Sequence, residues 1–330
     1  MRRQQARVWR WRALRRWRET VEVKAGPASE ASAWDGKGFR PVGLAQLLLA
    51  SVIWGFAFVA QRAGMEHVGP FTFNGVRFLL GSASLVPLLL LRRDRRAPEA
   101  EDRKGIAWGL ALAGLVLFAG ASLQQVGIVY TTAGKAGFIT GLYVVIVPVL
   151  GLLRRQRIGL SVWGGALLAV AGLYLLSVTG GFGLGLGDGL VLASAFGWAV
   201  HVHVIGWLAG RARPLLVACV QFAICGALSL VVGLVAERIP FADLLRAGVP
   251  ILYAGLLSTG VAYTLQVVGQ RRVDPARAGI VLSLEGSFAV LGGWLILGEA
   301  MTSRTLAGCG LMLLGMIASQ ARKPRSKTAP

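Results

Sequence analysis

Of the fifteen acidic residues in this chain, only Glu285 falls in the body of a long apolar stretch; Asp188 stands at the edge of another. A carboxyl group at the centre of a membrane helix costs about 2.5–3.5 kcal/mol on insertion scales, so Glu285 needs a partner, water or a proton. One reading makes it a binding site for an amine or a proton. The other makes it a protonated acid hydrogen-bonded within its own bundle. Arg77 is likewise surrounded by apolar sequence, with Asn74 one helical turn away on nearly the same face. For Arg77 a structural ion pair or snorkelling to an interface competes with contact to a solute. His201 and His203 lie two residues apart, about 200° around a helix. At most one of them faces a given cavity, which counts against a metal site and leaves a coupling role near neutral pH open.

Several uncharged residues could complete such a site. Gln125 and Gln266, Tyr130 and Tyr263, and Trp54 and Trp198 offer hydrogen bonds and aromatic walls. Against this, Trp and Tyr also form interfacial belts, and Gln at a span centre knits helices together. Trp54 is mid-helix, which favours a cavity wall over a belt. Gly137-x-x-x-Gly141 and Gly279-x-x-x-Ser283 carry the small residues that let helices approach closely, either as static packing or as a pivot. Pro148 removes a backbone donor and predicts a kink near the end of its span. The three cysteines all lie in apolar stretches, with neither disulfide nor zinc spacing. No phosphate loop and no nucleophile constellation is present. The sequence therefore implies neither an enzyme, nor a cofactor, nor an ATP-driven pump.

The elements that position these residues follow from composition. The chain has 330 residues, 55% apolar and 15% charged, a mean hydropathy of +0.63 and a net charge of +20. Such apolarity excludes disorder, and with basicity confined to loops it argues against a nucleic-acid-binding globule. A membrane helix needs about 20 apolar residues. Ten such runs are readable: 43–61, 71–91, 105–127, 133–152, 158–178, 187–208, 214–236, 247–269, 276–297 and 304–320. The runs are continuous rather than alternating, so they are helices and not barrel strands. Dealt out by loop, 29 of the 35 cations fall on one side of the bilayer and five on the other, with Arg77 between. By the positive-inside rule both termini are cytoplasmic. The expected segments are a basic stretch 1–40, two halves 43–178 and 187–320, and a basic tail 321–330.

The halves look like copies. Ser51-Val-Ile-Trp-Gly-Phe-Ala57 matches Ala193-Ser-Ala-Phe-Gly-Trp-Ala199, and Lys135-Ala-Gly-Phe138 matches Arg277-Ala-Gly-Ile280, both at a shift of 142. Gly165 and Gly172 match Gly308 and Gly315 at 143. Five spans per copy turn the second copy upside down, and inverted repeats place a site near the midplane between the halves. The shift of 142 sets Tyr143 opposite Glu285.

These residues carry a resemblance. Trp54-Gly-Phe-Ala-Phe-Val-Ala-Gln61, Gly69-Pro-Phe-Thr-Phe-Asn-Gly-Val-Arg-Phe78, Ala136-Gly-Phe-Ile-Thr-Gly-Leu-Tyr-Val-Val-Ile-Val-Pro148, and Ser283-Leu-Glu-Gly-Ser-Phe-Ala289 followed by Gly298-Glu299 resemble the ten-helix, two-EamA-domain members of the drug/metabolite transporter (DMT) superfamily. The resemblance covers about residues 43–320. It implies an all-α polytopic membrane protein of ten transmembrane helices in two inverted five-helix repeats. It also implies a secondary transporter of a small organic solute, exporting rather than importing, with proton coupling, in the plasma membrane. An uncoupled facilitator and a non-transporting sensor or assembly protein on the same scaffold are the alternatives. The implied partners are the small-molecule substrate and the lipid bilayer, with no nucleic acid; monomer and homodimer are both open. One departure concerns span nine, where the family commonly has Pro after the Glu and this chain has Gly286. That puts the shape of span nine in question.

Overall fold

In lipid every backbone polar group must be satisfied within its own segment, so long apolar runs become helices. A computed structural model describes residues 41–91, 100–131, 133–156, 158–177, 185–238, 241–297 and 302–320. Outside these lie the basic segment 1–40, the tail 321–330, Gly298-Glu299 and four cations of the loop at 92–99. All described secondary structure is helical. Helices α1 (Pro41–Gly64), α2 (Pro70–Leu91) and α3 (Ala100–Tyr130) are followed by α4 (Ala133–Gly141), α5 (Tyr143–Leu153) and α6 (Leu160–Ser177). Then come α7 (Leu186–Leu208), α8 (Pro214–Ala236) and the short α9 (Phe241–Arg246). The next span winds in three parts: α10 (Gly248–Leu252), a π-helical stretch (Tyr253–Tyr263) and α11 (Thr264–Gly269). Helices α12 (Pro275–Leu282), α13 (Glu285–Leu297) and α14 (Ser303–Gln320) complete the order.

Within the described residues, each of the ten apolar windows falls mostly on helical chain. Among the described residues, seven helices are long and apolar enough to cross a membrane; three shorter apolar helices are Ile139–Leu153, Leu160–Leu175 and Ser303–Ser319. Proline opens α1, α2, α8 and α12, at the position where its missing N–H is not needed. Asp274 caps α12, its side chain accepting the Arg277 amide at 3.0 Å. The start of α2 is closed from elsewhere: the Glu237 carboxylate, just past α8, accepts the Phe71 and Thr72 amides at 2.9 and 2.8 Å.

The helices pair in a regular scheme. Helix α6 runs along α14, α2 along α8, and α3 along α7. Helix α1 packs on α13 and on the π-helical stretch, while α7 packs on α4 and α5. Advancing every span by five maps this set of pairings onto itself. Small residues make the tightest pair possible. A Cβ at Gly165 would lie 2.5 Å from the Gly315 carbonyl oxygen, and one at Gly172 would lie 2.5 Å from that of Gly308.

Two spans are broken. Span four breaks at Leu142 and span nine at Ser283–Leu284, positions 142 residues apart. The expected kink at Pro148 is not where the break occurs; α5 runs through that proline. At both breaks the bonds tighten to three-residue spacing: Leu142 N–H to Ile139 O at 3.2 Å, and Leu284 N–H to Val281 O at 3.3 Å. In span nine the Ser283 hydroxyl also donates to Ile280 O at 2.9 Å, offering the backbone an alternative to the helical ladder. Gly286 thus accompanies a break without proline.

The perimeter is apolar, and the interior holds apolar clusters with polar side chains among them. Large apolar side chains such as Leu91, Trp108, Leu167 and Val235 are exposed at the perimeter, the surface that lipid covers. Asn74, Arg77, Gln124, Gln221, Gln266 and Glu285 are buried at the centre.

Candidate functional site

The breaks decide what the centre contains. Tyr143 is the first residue of α5 and Glu285 the first residue of α13, so each side chain leaves its span where the helix is interrupted. The two side chains are close enough to interact electrostatically. They line one cavity of about 50 Å³ as a water-sized molecule sees it, room for a few waters. Glu285 has no ion pair among the described residues.

Helix α2 contributes Arg77 to the same cavity. Arg77 is 3% exposed, so it does not snorkel, and it too forms no ion pair among the described residues. Its Nε donates to Asn74 Oδ1 at 2.9 Å, and Asn74 Nδ2 donates to the Ala121 carbonyl at 3.1 Å. The guanidinium stands 4.6 Å from the Phe78 ring centroid and 5.6 Å from that of Phe73, within cation–π range. Asn74 therefore acts through Arg77 and does not itself line the cavity.

Helix α7 brings Trp198 and His201. His201 Nε2 donates to Gln221 Oε1 at 2.8 Å, leaving Nδ1 without a partner among the described residues. His203 turns the other way and donates to the Val147 carbonyl at 2.8 Å. Trp198 Nε1, Gln61 Oε1 and Gln266 Oε1 also border the cavity without partners among the described residues. Buried polar atoms are normally paired, so this concentration marks a place built for something polar.

The π-helical stretch closes the remaining side with Ser258 and Tyr263. Its wide turns are held from outside and within. Trp54 Nε1 donates to the Ser258 carbonyl at 3.0 Å, Tyr253 donates its hydroxyl to Ile53 O at 3.0 Å, and the Thr259 hydroxyl reaches back five residues to Ala254 O at 2.8 Å. Tyr263 lies 4.7 Å from Trp54 between ring centroids, edge to face. π-Helical turns recur at functional sites.

Comparison with known proteins gives the chain a family. The EamA-like transporter family model matches residues 41–178 and again 185–319. The chain belongs to the EamA-like transporter family. An uncharacterised transporter of Archaeoglobus fulgidus is 31% identical over 82% of this chain and 83% of its own. The uncharacterised inner membrane transporter YedA of Escherichia coli K12 is 26% identical over 81% and 85%. A solved crystal structure superposes with a TM-score of 0.70 at 21% identity, over 85% of this chain and 97% of the other, which shows the fold. The protein is thus an all-α, multi-pass membrane protein of a transporter family.

In this EamA-like chain the cavity gathers Glu285, Tyr143, Trp54, Trp198, His201, Arg77 and Gln266 from the residues singled out by sequence. Gln125 is buried elsewhere; its neighbour Gln124 lines the cavity, with Nε2 donating to Thr140 Oγ1 at 3.0 Å. The repeat holds the missing signal. A shift of 142 pairs Gln124, not Gln125, with Gln266, and pairs Thr140 with Leu282, all four of them in the lining. Phe58, Gln61 and Val202 were not distinguishable by type from ordinary span residues. Tyr263 faces the cavity and Tyr130 does not. Of the small residues proposed for close approach, Gly141 and Gly279 pack against Leu173 and Val147, while a Cβ at Gly137 would meet nothing within 4 Å. Backbone-to-backbone approach is found instead at other glycines, among them Gly165 and Gly172 of α6 against Gly315 and Gly308 of α14, and Gly127 of α3 against Gly187 of α7.

Proposed function

We propose that this EamA-like protein is a secondary transporter that exports a small organic solute from the cell by alternating access. In this reading the halves 43–178 and 187–320 are inverted five-helix repeats, the termini are cytoplasmic, and Glu285 carries the coupling proton. One observation supports it above the others: a buried acid without a cationic partner faces Tyr143 across the central cavity, each at the broken point of its span.

Burying an unpaired carboxylate costs several kcal/mol, so Glu285 holds a proton or faces a cation while the cavity is closed. Tyr143 supplies a hydroxyl that bonds to either form of the acid. When the halves open to one side, water reaches the carboxyl and lets it exchange the proton. Proton and solute then use the same opening, which couples their fluxes.

Proteoliposomes test this with labelled amino acids, polyamines, sugars and cationic drugs, with and without a pH gradient. The expected result is a solute whose flux responds to the gradient in the wild type. Glu285→Gln is expected to abolish that response while leaving gradient-independent exchange. Flux indifferent to the gradient, and preserved in Glu285→Gln, would overturn the coupling role.

A further inference from the structure

We propose that Arg77 is the anchor for a carboxylate on the carried solute, an assignment that rests on the transporter reading above and narrows it to acid-bearing solutes. Arg77 lines the cavity, is almost fully buried, and has no acidic partner among the described residues. Its neighbours orient it without neutralising it. Asn74 takes Nε, and the rings of Phe73 and Phe78 lie beside the guanidinium. The Nη nitrogens carry no hydrogen bond among the described residues, yet they are not among the side-chain nitrogens sealed from solvent. Two parallel N–H donors of a planar guanidinium are therefore left open to the cavity.

That arrangement differs from a structural arginine, whose Nη atoms are used up on carbonyls. Arg271 shows the contrast: its Nε and Nη2 donate to the carbonyls of Ala209 and Ala212 at 2.6 and 2.9 Å. A planar fork with both ends free matches a carboxylate in two-pronged fashion. Almost fully buried, the unpaired cation carries an electrostatic cost that an incoming anion offsets. Trp198 and Tyr263 provide flat apolar walls for the body of the solute.

The test uses phenylglyoxal, which adds to the Nη nitrogens of arginine, on the full-length protein in lipid nanodiscs, with peptide mass spectrometry reading Arg77. The competitors are benzoate, its uncharged isostere benzamide, and phenyl phosphate. Arg77 is expected to react, and benzoate at ten times its dissociation constant is expected to slow the reaction roughly tenfold. Benzamide is expected to give no protection. An unreactive Arg77, protection by benzamide equal to that by benzoate, or protection by phenyl phosphate alone would each overturn the assignment. Intrinsic tryptophan fluorescence, to which Trp54 and Trp198 at the cavity contribute, gives a second measurement: Arg77→Gln loses the benzoate response, and Arg77→Lys keeps part of it. The two readings separate cleanly. A solute lacking any acidic group that is carried equally well by wild type and Arg77→Gln upholds transport and overturns the anchor. Carboxylate protection in a protein that carries no solute across the bilayer upholds the anchor and overturns transport.

Discussion

Helix α3 and the span Gly248–Gly269 are both long and apolar, and they hold matching places in the pairing scheme. Helix α3 runs beside α7 and α8, and the other span beside α1 and α2. Yet α3 is α-helical from Ala100 to Tyr130, whereas its counterpart widens into π turns from Tyr253 to Tyr263. The result is visible at the cavity. Helix α3 sends in Gln124 alone, while the widened span sends in Ser258 and Tyr263 as well as Gln266. The cause lies in neighbouring side chains. Trp54 takes a carbonyl of the widened span, Thr259 ties back five residues, and Gly81 of α2 leaves space for Thr259 to sit against it. Two segments that are both apolar enough to cross a membrane thus do different work, because hydropathy reports the match to lipid and not the width of a turn.

The largest test of this contrast is a pair of glycine substitutions. A Cβ at Gly81 would fall 2.8 Å from Thr259 Cβ and 2.9 Å from the Gly255 carbonyl oxygen, so the widened span or α2 must shift. Gly81→Ala is expected to cost about 1–3 kcal/mol of stability, as overpacking does. On α3 the nearest atoms to a Cβ at Gly120 are 3.7 Å away. Gly120→Ala is therefore expected to be neutral or to stabilise by up to about 1 kcal/mol through helix propensity. Chemical unfolding in lipid nanodiscs measures both, and equal effects would break the comparison.

A smaller effect is expected for Thr259→Val, which keeps the shape and removes the bond to Ala254 O. A loss of about 1 kcal/mol is expected, with faster hydrogen exchange confined to residues 253–263; exchange unchanged there would mean that packing alone sets the wide turns. The smallest change is expected for Ser258→Ala. Trp54 uses the backbone carbonyl of Ser258 and not its hydroxyl. Stability should stay within about 0.5 kcal/mol of wild type, so any loss of solute flux would report on the cavity rather than the fold.

The helical windows were legible because a bilayer imposes length and continuous apolarity, and both are written in residue type. The central placement of Glu285 and Arg77 was legible for the complementary reason: charge is conspicuous in an apolar run. Reading Gln125 for Gln124 shows the limit. One residue is 100° of helix, and only the 142-residue shift, applied strictly, selects the right face. The break at Leu142 has no proline to mark it; in span nine the shape stands in question, but the polar pair Ser283 and Glu285 does not read as a break, whereas Pro148, the conspicuous residue, sits inside a continuing helix. The widened turns left even less trace. They depend on Trp54 and Gly81, which are about 200 and 180 residues away in sequence from the turns they stabilise.

The cap on α2 bears on how the protein is made. Phe71 and Thr72 give their amides to Glu237, which follows them by 166 and 165 residues. Domains emerge from the ribosome N-terminal part first, at about 5–20 residues per second. Helix α2 therefore spends roughly 8–30 seconds of synthesis with its first amides facing water or lipid headgroups before Glu237 exists. The first half of the chain is born unfinished, and its second helix is completed only by the arrival of the other half.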